Sequence, residues 1–289
     1  MIHRKIYYRG SLSSCNYACG YCPFAKTSNT REELLRDQAE VERFVDWIAR
    51  RRSETLSLLF TPWGEALGHR HYRRALVRLS RLEGVQRVSL QTNLSAPVDD
   101  FSQACATTLT LWATYHPGET TRAKFLARCR SLEELGIRYS VGVVGIREHF
   151  EEIEELRRQL SSEVYLWVNA YKREPEYYSP ADLQRIRQVD PLFDLNNQRH
   201  PSLGKTCAAG STHFTVDGRG DARRCHFVGE VMGNIYEDEE LRFLHPRVCP
   251  NQTCGCYIGY VHRNELELEA VYGQDLLGRI PVTVPPGSR

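Results

Sequence analysis

Six short runs rich in β-branched and aromatic residues, each followed by a stretch of helical period, dominate the first two thirds of this 289-residue chain. The runs are KIYY (5–8), LSLLF (56–60), VQRVSLQT (85–92), LTLWATY (109–115), YSVGVV (139–144) and VYLWVNAY (164–171). Apolar residues recur at helical spacing over 31–52 and in stretches near 70–82, 120–135, 148–160 and 180–188. Few folds accept this alternation. Parallel strands need a long crossover, usually a helix, to bring the chain back to the same end of the sheet. The expected fold is therefore α/β with a parallel sheet, and six strands suit an incomplete (β/α)6 barrel of TIM type. The polar, turn-rich stretch DLNNQRHPSLGKT (194–206) is expected to link it to a second, smaller α+β domain, giving 1–195 and 196–289. The closing PPGSR reads as a loose tail.

Composition excludes some function classes. Hydrophobic residues make up 41% and charged ones 26%, with a formal net charge of +2, which gives no broad attraction to nucleic acid or anionic lipid. The run Arg50-Arg51-Arg52 reads as the solvated end of a helix. No apolar run reaches membrane-spanning length, and MIHRKIYYRG lacks the apolar core of a signal peptide. The expected location is the cytoplasm, with no membrane or nucleic-acid partner.

The ten cysteines are many for a reducing compartment, where clustered thiols read as metal or cluster ligands rather than disulfides. Eight fall in two groups: Cys15, Cys19 and Cys22 near the start, and Cys207, Cys225, Cys249, Cys254 and Cys256 near the end. Cys105 and Cys129 stand alone in helix-like segments and are expected to be small buried hydrophobes. In CNYACGYC, three thiolates come from one loop after the first strand. Iron–sulfur clusters usually take four, so three would leave one iron open to a small molecule, much as a catalytic zinc keeps a free position. A zinc site is the alternative for each group, a zinc ribbon for the second.

The Cys-x3-Cys-x-aromatic-Cys pattern, with Tyr21 at the aromatic position, resembles the signature of the radical SAM superfamily. That resemblance implies a four-iron cluster on Cys15, Cys19 and Cys22 whose open iron chelates S-adenosylmethionine. It also implies reductive cleavage to a 5′-deoxyadenosyl radical and hydrogen abstraction from a substrate. Further motifs follow in order at strand ends, where barrel enzymes place their sites. Gly64-Glu65 in FTPWGEAL matches the motif that receives the methionine ammonium, with Trp63 in place of its usual first glycine. Asn93 matches a polar position near the carboxylate or ribose, and Thr114 a ribose contact. Gly142-x-Val144-Gly145-x-x-Glu148 matches a pattern whose apolar residue packs on adenine. Asn169 is placed near the adenine or the active centre. Strand-end position alone makes His116, Tyr115, Arg147 and Tyr171 the candidates for proton transfer.

The second cysteine group includes HFTVDGRGDARRCHF, a hairpin signal around DGRGD, before a helix-like stretch at 237–244. It resembles the auxiliary-cluster domains called SPASM and, in short form, twitch. Cys207 and Cys225 with two of Cys249, Cys254 and Cys256 would hold one auxiliary four-iron cluster. GSLSSCNYACGYCPFAK and CGCYIGYVHRNEL also resemble a small radical SAM group with such a C-terminal domain. The resemblance implies oxidation or bond formation on a peptide, protein or natural-product precursor, or dehydrogenation of an aminocyclitol- or sugar-type small molecule. An electron donor such as flavodoxin or ferredoxin is implied. No recruitment segment is visible before residue 5, which favours a compact substrate or an embedded docking surface. A two-cluster electron carrier and a zinc-stabilised binding module are the other readings. The first has no use for an open iron, and the second lacks a basic aromatic stripe.

Overall fold

The computed structural model describes residues 2–24 and 27–283; the expected tail lies outside them. The first two thirds run β1 (His3–Arg9), α1 (Arg31–Ala49), β2 (Thr55–Phe60), α2 (Arg70–Ser80), β3 (Val85–Thr92), β4 (Leu109–Thr114), α3 (Arg122–Glu134), β5 (Arg138–Gly145), α4 (Phe150–Gln159), β6 (Leu166–Ala170) and α5 (Pro180–Val189). The remainder runs α6 (Phe193–Asn196), β7 (His200–Pro201), β8 (Thr206–Cys207), β9 (His213–Asp217), β10 (Asp221–Arg223), β11 (Val231–Asn234), β12 (Arg247–Val248), β13 (Thr253–Cys254), α7 (Tyr257–Tyr260) and α8 (Leu268–Tyr272). Strands β1 to β6 pair in chain order, all parallel, as a partial (β/α)6 barrel.

The period-two pattern of the strands sorts side chains between two cores. Ile6, Tyr8, Leu58, Phe60, Leu90, Leu111, Val141 and Val168 face the helices. Tyr7, Leu59, Trp112 and Trp167 face the barrel interior. Helix starts follow local capping chemistry: Thr30 with Glu33 and Ser179 with Asp182 each form a capping box, so two otherwise orphaned N–H groups are satisfied at each start.

The C-terminal third does not form a separate sheet. β9 pairs parallel with β1 (Lys5↔His213 to Arg9↔Asp217), and β9, β10 and β11 extend the barrel sheet to nine strands. The 194–206 stretch is anchored: Asn196, His200 and Ser202 are buried, and β7 pairs with β13. Residues 257–277 then fill the barrel interior, where Tyr257, Tyr260, Tyr272, Leu276 and Leu277 pack on Trp112 and Trp167. The Arg279 guanidinium lies 4.1 Å from the Trp167 ring and 4.4 Å from Tyr257, and Asp275 accepts from Arg87 and Arg138 at the starts of β3 and β5.

Two local expectations need correction. The 237–244 stretch is two turns, because Leu241 takes a left-handed φ of 54° that breaks the helical run while its side chain stays buried. Cys129 is buried in α3 as expected, whereas Cys105 sits half-buried in a turn, its thiol beside the Thr107 and Thr108 hydroxyls. Among the described residues, no helix is long and apolar enough to cross a membrane.

Candidate functional site

The loop after β1 carries Cys15, Cys19 and Cys22, and neighbouring side chains hold its backbone. Leu12 N–H donates to Asp37 Oδ1 (2.9 Å), and the N–H groups of Ser13 and Ser14 both donate to Asn29 Oδ1 (2.8 Å each). Asp37 is fully buried and also accepts from the Tyr72 hydroxyl and His71 Nε2. The turn after β2 docks on the same loop: Gly64 N–H donates to Leu12 O and Glu65 N–H to Ser14 O. A β-carbon at Gly64 would lie 2.0 Å from Ser14 O, so this contact requires glycine.

The thiols are pre-oriented by their own loop. Tyr17 N–H donates to Cys15 Sγ and Phe24 N–H to Cys22 Sγ, each at 3.4 Å. Asn93 Nδ2 lies 3.7 Å from Cys15 Sγ and 3.0 Å from Asn16 Oδ1. His116 Nδ1 lies 3.3 Å from Cys19 Sγ and 2.8 Å from the Tyr21 hydroxyl, with the Tyr21 and His116 rings nearly parallel. Burial pushes Cys15 up and Cys19 up to about 11, so both thiols hold their protons until a metal displaces them. Three adjacent sulfurs, those of Cys15 and Cys22 supported by backbone N–H groups and that of the buried Cys19 beside His116, are a donor set able to hold an iron–sulfur cluster.

Glu65 is buried, and its carboxylate accepts from Leu67 N–H, the Thr92 hydroxyl and Asn93 N–H. Burial raises its pKa even so. A carboxylate has about four acceptor positions, which leaves Oε2 room for one more donor. Thr114 pairs with Gly142 across β4 and β5, and Val144 with Asn169 across β5 and β6, so these four gather at one barrel end. Gly142 also makes room for Trp167, whose ring would lie 1.9 Å from an added β-carbon. Gly145 O accepts from the Tyr178 hydroxyl.

Of the four proton-transfer candidates, only His116 faces the thiols. Tyr115, one residue earlier, takes the opposite face: it is buried under the helices with its hydroxyl on Glu152. Arg147 lies over the Tyr177 ring with Nε on Asp182, and Tyr171 packs beside Tyr177. These three are engaged away from the cysteine loop.

The five late cysteines, distant in sequence, all line one cavity of ≈260 Å³, together with Arg224 and Arg263. Strand pairing assembles them: β8 carries Cys207 against β12, Cys249 N–H donates to Lys205 O, and β13 carries Cys254. Burial pushes Cys225 up to about 11 and Cys254 up to about 12. Arg263 is 3% exposed; one terminal nitrogen pairs with Glu265, while its Nε and other terminal nitrogen have no hydrogen-bond partner among the described residues. A buried cation with free donors facing a ring of thiols fits an anionic group in that space. Among the described residues, no three His, Cys, Asp or Glu side chains are close enough together to hold a lone metal ion.

The cavity closes the side of the open barrel. On one flank the Tyr7 hydroxyl lies 2.7 Å from His262 Nε2, and His262 stacks on His213 at 3.6 Å. On the other, the Lys172 ammonium, beyond β6, donates to Gly255 O and Asn196 O. Residues 254–262 thus bridge the first and last barrel strands.

The radical SAM superfamily model matches residues 12–160. This chain belongs to the radical SAM superfamily. Among solved structures, anSMEcpe with bound AdoMet and the Cp18Cys peptide is similar over 83% of this chain and 80% of its own, at 17% identity and a TM-score of 0.55. SuiB from Streptococcus suis, bound to S-adenosylmethionine, is similar over 82% of this chain and 64% of its own, at 15% identity and a TM-score of 0.56. These likenesses show the fold. No curated protein sequence matches the chain. Membership of the radical SAM superfamily implies a four-iron cluster and S-adenosylmethionine as cofactors.

Asp37, Asn29, Arg263 and Lys172 escaped the sequence reading. The Thr30–Glu33 capping box was a legible signal that a helix starts directly after Asn29; nothing in the sequence marked the others.

Proposed function

We infer that this enzyme carries two iron–sulfur clusters, a twitch-like arrangement, and uses them to oxidise or bond a peptide, protein or natural-product precursor. Cys15, Cys19 and Cys22 hold the first cluster. Four of Cys207, Cys225, Cys249, Cys254 and Cys256 hold the auxiliary one. When bound, the first cluster supplies the electron that splits S-adenosylmethionine, and the resulting 5′-deoxyadenosyl radical takes a hydrogen atom from the substrate. The chain's own part is to position and shield. Glu65 and Asn93 receive the methionine ammonium and carboxylate side. Thr114, Val144 and Asn169 border the nucleoside, and Tyr21 and His116 hold the loop. Residues 1–195 form the core, 196–289 the auxiliary part, and a flavodoxin- or ferredoxin-type donor supplies electrons in the cytoplasm.

One observation carries this reading: five cysteines spread over Cys207 to Cys256 converge on one cavity, beside a buried Arg263 that keeps two nitrogens without a hydrogen-bond partner among the described residues. The peptide bound to anSMEcpe supports a peptide substrate. The test is anaerobic reconstitution with an iron count, where about eight irons per chain are expected, four per cluster. Dithionite and S-adenosylmethionine should then release 5′-deoxyadenosine. Replacing Cys15, Cys19 and Cys22 with alanine should abolish that release. Colourless protein holding only zinc overturns the reading.

A further inference from the structure

The turn after β2 grips the cysteine loop at both ends. At the loop's entry, the N–H groups of Gly64 and Glu65 donate to Leu12 O and Ser14 O. At its exit, the Trp63 ring packs on the Phe24 ring at 4.6 Å. Successive residues of one turn thus hold a loop whose three cysteines lie between the two grips.

Trp63 is itself seated on the barrel. Its ring lies 3.9 Å from the guanidinium of Arg9, the last residue of β1. Arg9 Nε donates to Thr61 O (2.9 Å), and Thr61 N–H donates to Tyr8 O (3.0 Å), so the guanidinium is fixed to the ends of the first two strands. A cation over an aromatic face is attractive, most of all over an indole. Phe24 has no such seat: its ring is 45% exposed, and Trp63, 42% exposed, is its one aromatic neighbour among the described residues. Core burial does not account for two large aromatics left side by side in solvent. Their contact ties the loop's exit to a fixed point.

That exit touches a thiol directly, since Phe24 N–H donates to Cys22 Sγ (3.4 Å). Once the thiol is a metal-bound thiolate, such a bond is charge-assisted and orients the ligand. A glycine at position 63, where the resemblance places one, has no side chain to reach Phe24. Gly64 cannot take over, because a β-carbon there would meet Ser14 O, and Glu65 is buried on the other side of the turn's chemistry with Thr92 and Asn93.

We propose that Trp63 is a positioning residue for the first iron–sulfur cluster: its contact with Phe24 keeps the Phe24 N–H on Cys22 Sγ and slows the loss of that cluster's iron. This rests on the assignment of the first cluster to Cys15, Cys19 and Cys22, and on nothing about the substrate.

The test uses anaerobically reconstituted full-length protein. Hydrogen–deuterium exchange with mass spectrometry follows residues 20–24, and a ferrous chelator follows iron release. The variant with alanine at Cys15, Cys19 and Cys22 shows which iron belongs to the first cluster. In Trp63→Gly the loop's exit should exchange faster, and first-cluster iron should leave about fivefold faster, the worth of one aromatic contact. Iron that the triple-alanine variant retains should keep its wild-type release rate. Trp63→Phe should stay near wild type. Phe24→Leu should match Trp63→Gly, and the two combined should add nothing, as for two partners of one contact. Unchanged exchange and release in Trp63→Gly overturn the clamp. So do additive effects, or faster release of all the iron, which marks a general loss of stability. A triple-alanine variant that holds as much iron as wild type overturns the cluster assignment, and the clamp with it.

Discussion

His116 Nδ1 and the Tyr21 hydroxyl lie 2.8 Å apart, and the same nitrogen is 3.3 Å from Cys19 Sγ. One lone pair thus faces two donors. Cluster binding removes the Cys19 proton, which leaves Tyr21 as the donor and ties the aromatic of the cysteine motif to the end of β4. Tyr21→Phe deletes this bond, worth about 1 kcal/mol net. If that energy holds the loop in its working position, 5′-deoxyadenosine release should fall about fivefold with iron content unchanged. Parallel rate and iron assays check this; a matching loss of iron would assign the bond to cluster retention instead.

Gly64→Ala should remove the first cluster, because the new β-carbon meets the backbone oxygen of Ser14 at 2.0 Å. The expected protein folds, keeps about four irons on the auxiliary site, one cluster's worth, and makes no 5′-deoxyadenosine. Gly68→Ala is the control, since its nearest neighbour would be 3.9 Å away. It should behave as wild type in the same iron count.

Cys256 is exposed, whereas Cys207, Cys225 and Cys254 are pushed up by burial in the shared cavity. Serine at Cys207, Cys225 or Cys254 should therefore cut iron to about half, and Cys256→Ser should cost least. Ligand thiols must lose their protons to bind, so iron uptake at this site should improve from pH 7 to pH 8.5. Iron content of the single variants at both pH values tests ligand set and sign together.

His213 is fully buried and burial pushes it down to about 3, against an ordinary value of 6.5. The folded state thus binds fewer protons than the unfolded chain between these values, and stability falls as pH drops below 6.5. At pH 5 the loss from this group is about 2 kcal/mol. Urea midpoints of wild type and His213→Gln at pH 7.5 and pH 5 measure it. The variant should be less stable at pH 7.5 yet lose less on acidification.

The chain's local patterns carried much of this enzyme. Period-two and helical-period stretches marked all six barrel strands and the helices between them. The spacing of Cys15, Cys19 and Cys22 marked a one-loop ligand set, and Gly64-Glu65 proved to be the turn that docks on that loop. Such features depend on neighbours within a few residues, so the sequence displays them. Only the tertiary structure decided which edge β9 would join, that residues 257–277 would fill the barrel, and that five late cysteines would meet around Arg263. It also separated Tyr115 from His116, since one step along the extended chain just past β4 reverses the face a side chain takes. Those outcomes follow from long-range burial: the open edge of β1 and the aromatic interior of a partial barrel had to be covered, and no local pattern names the segment that does it.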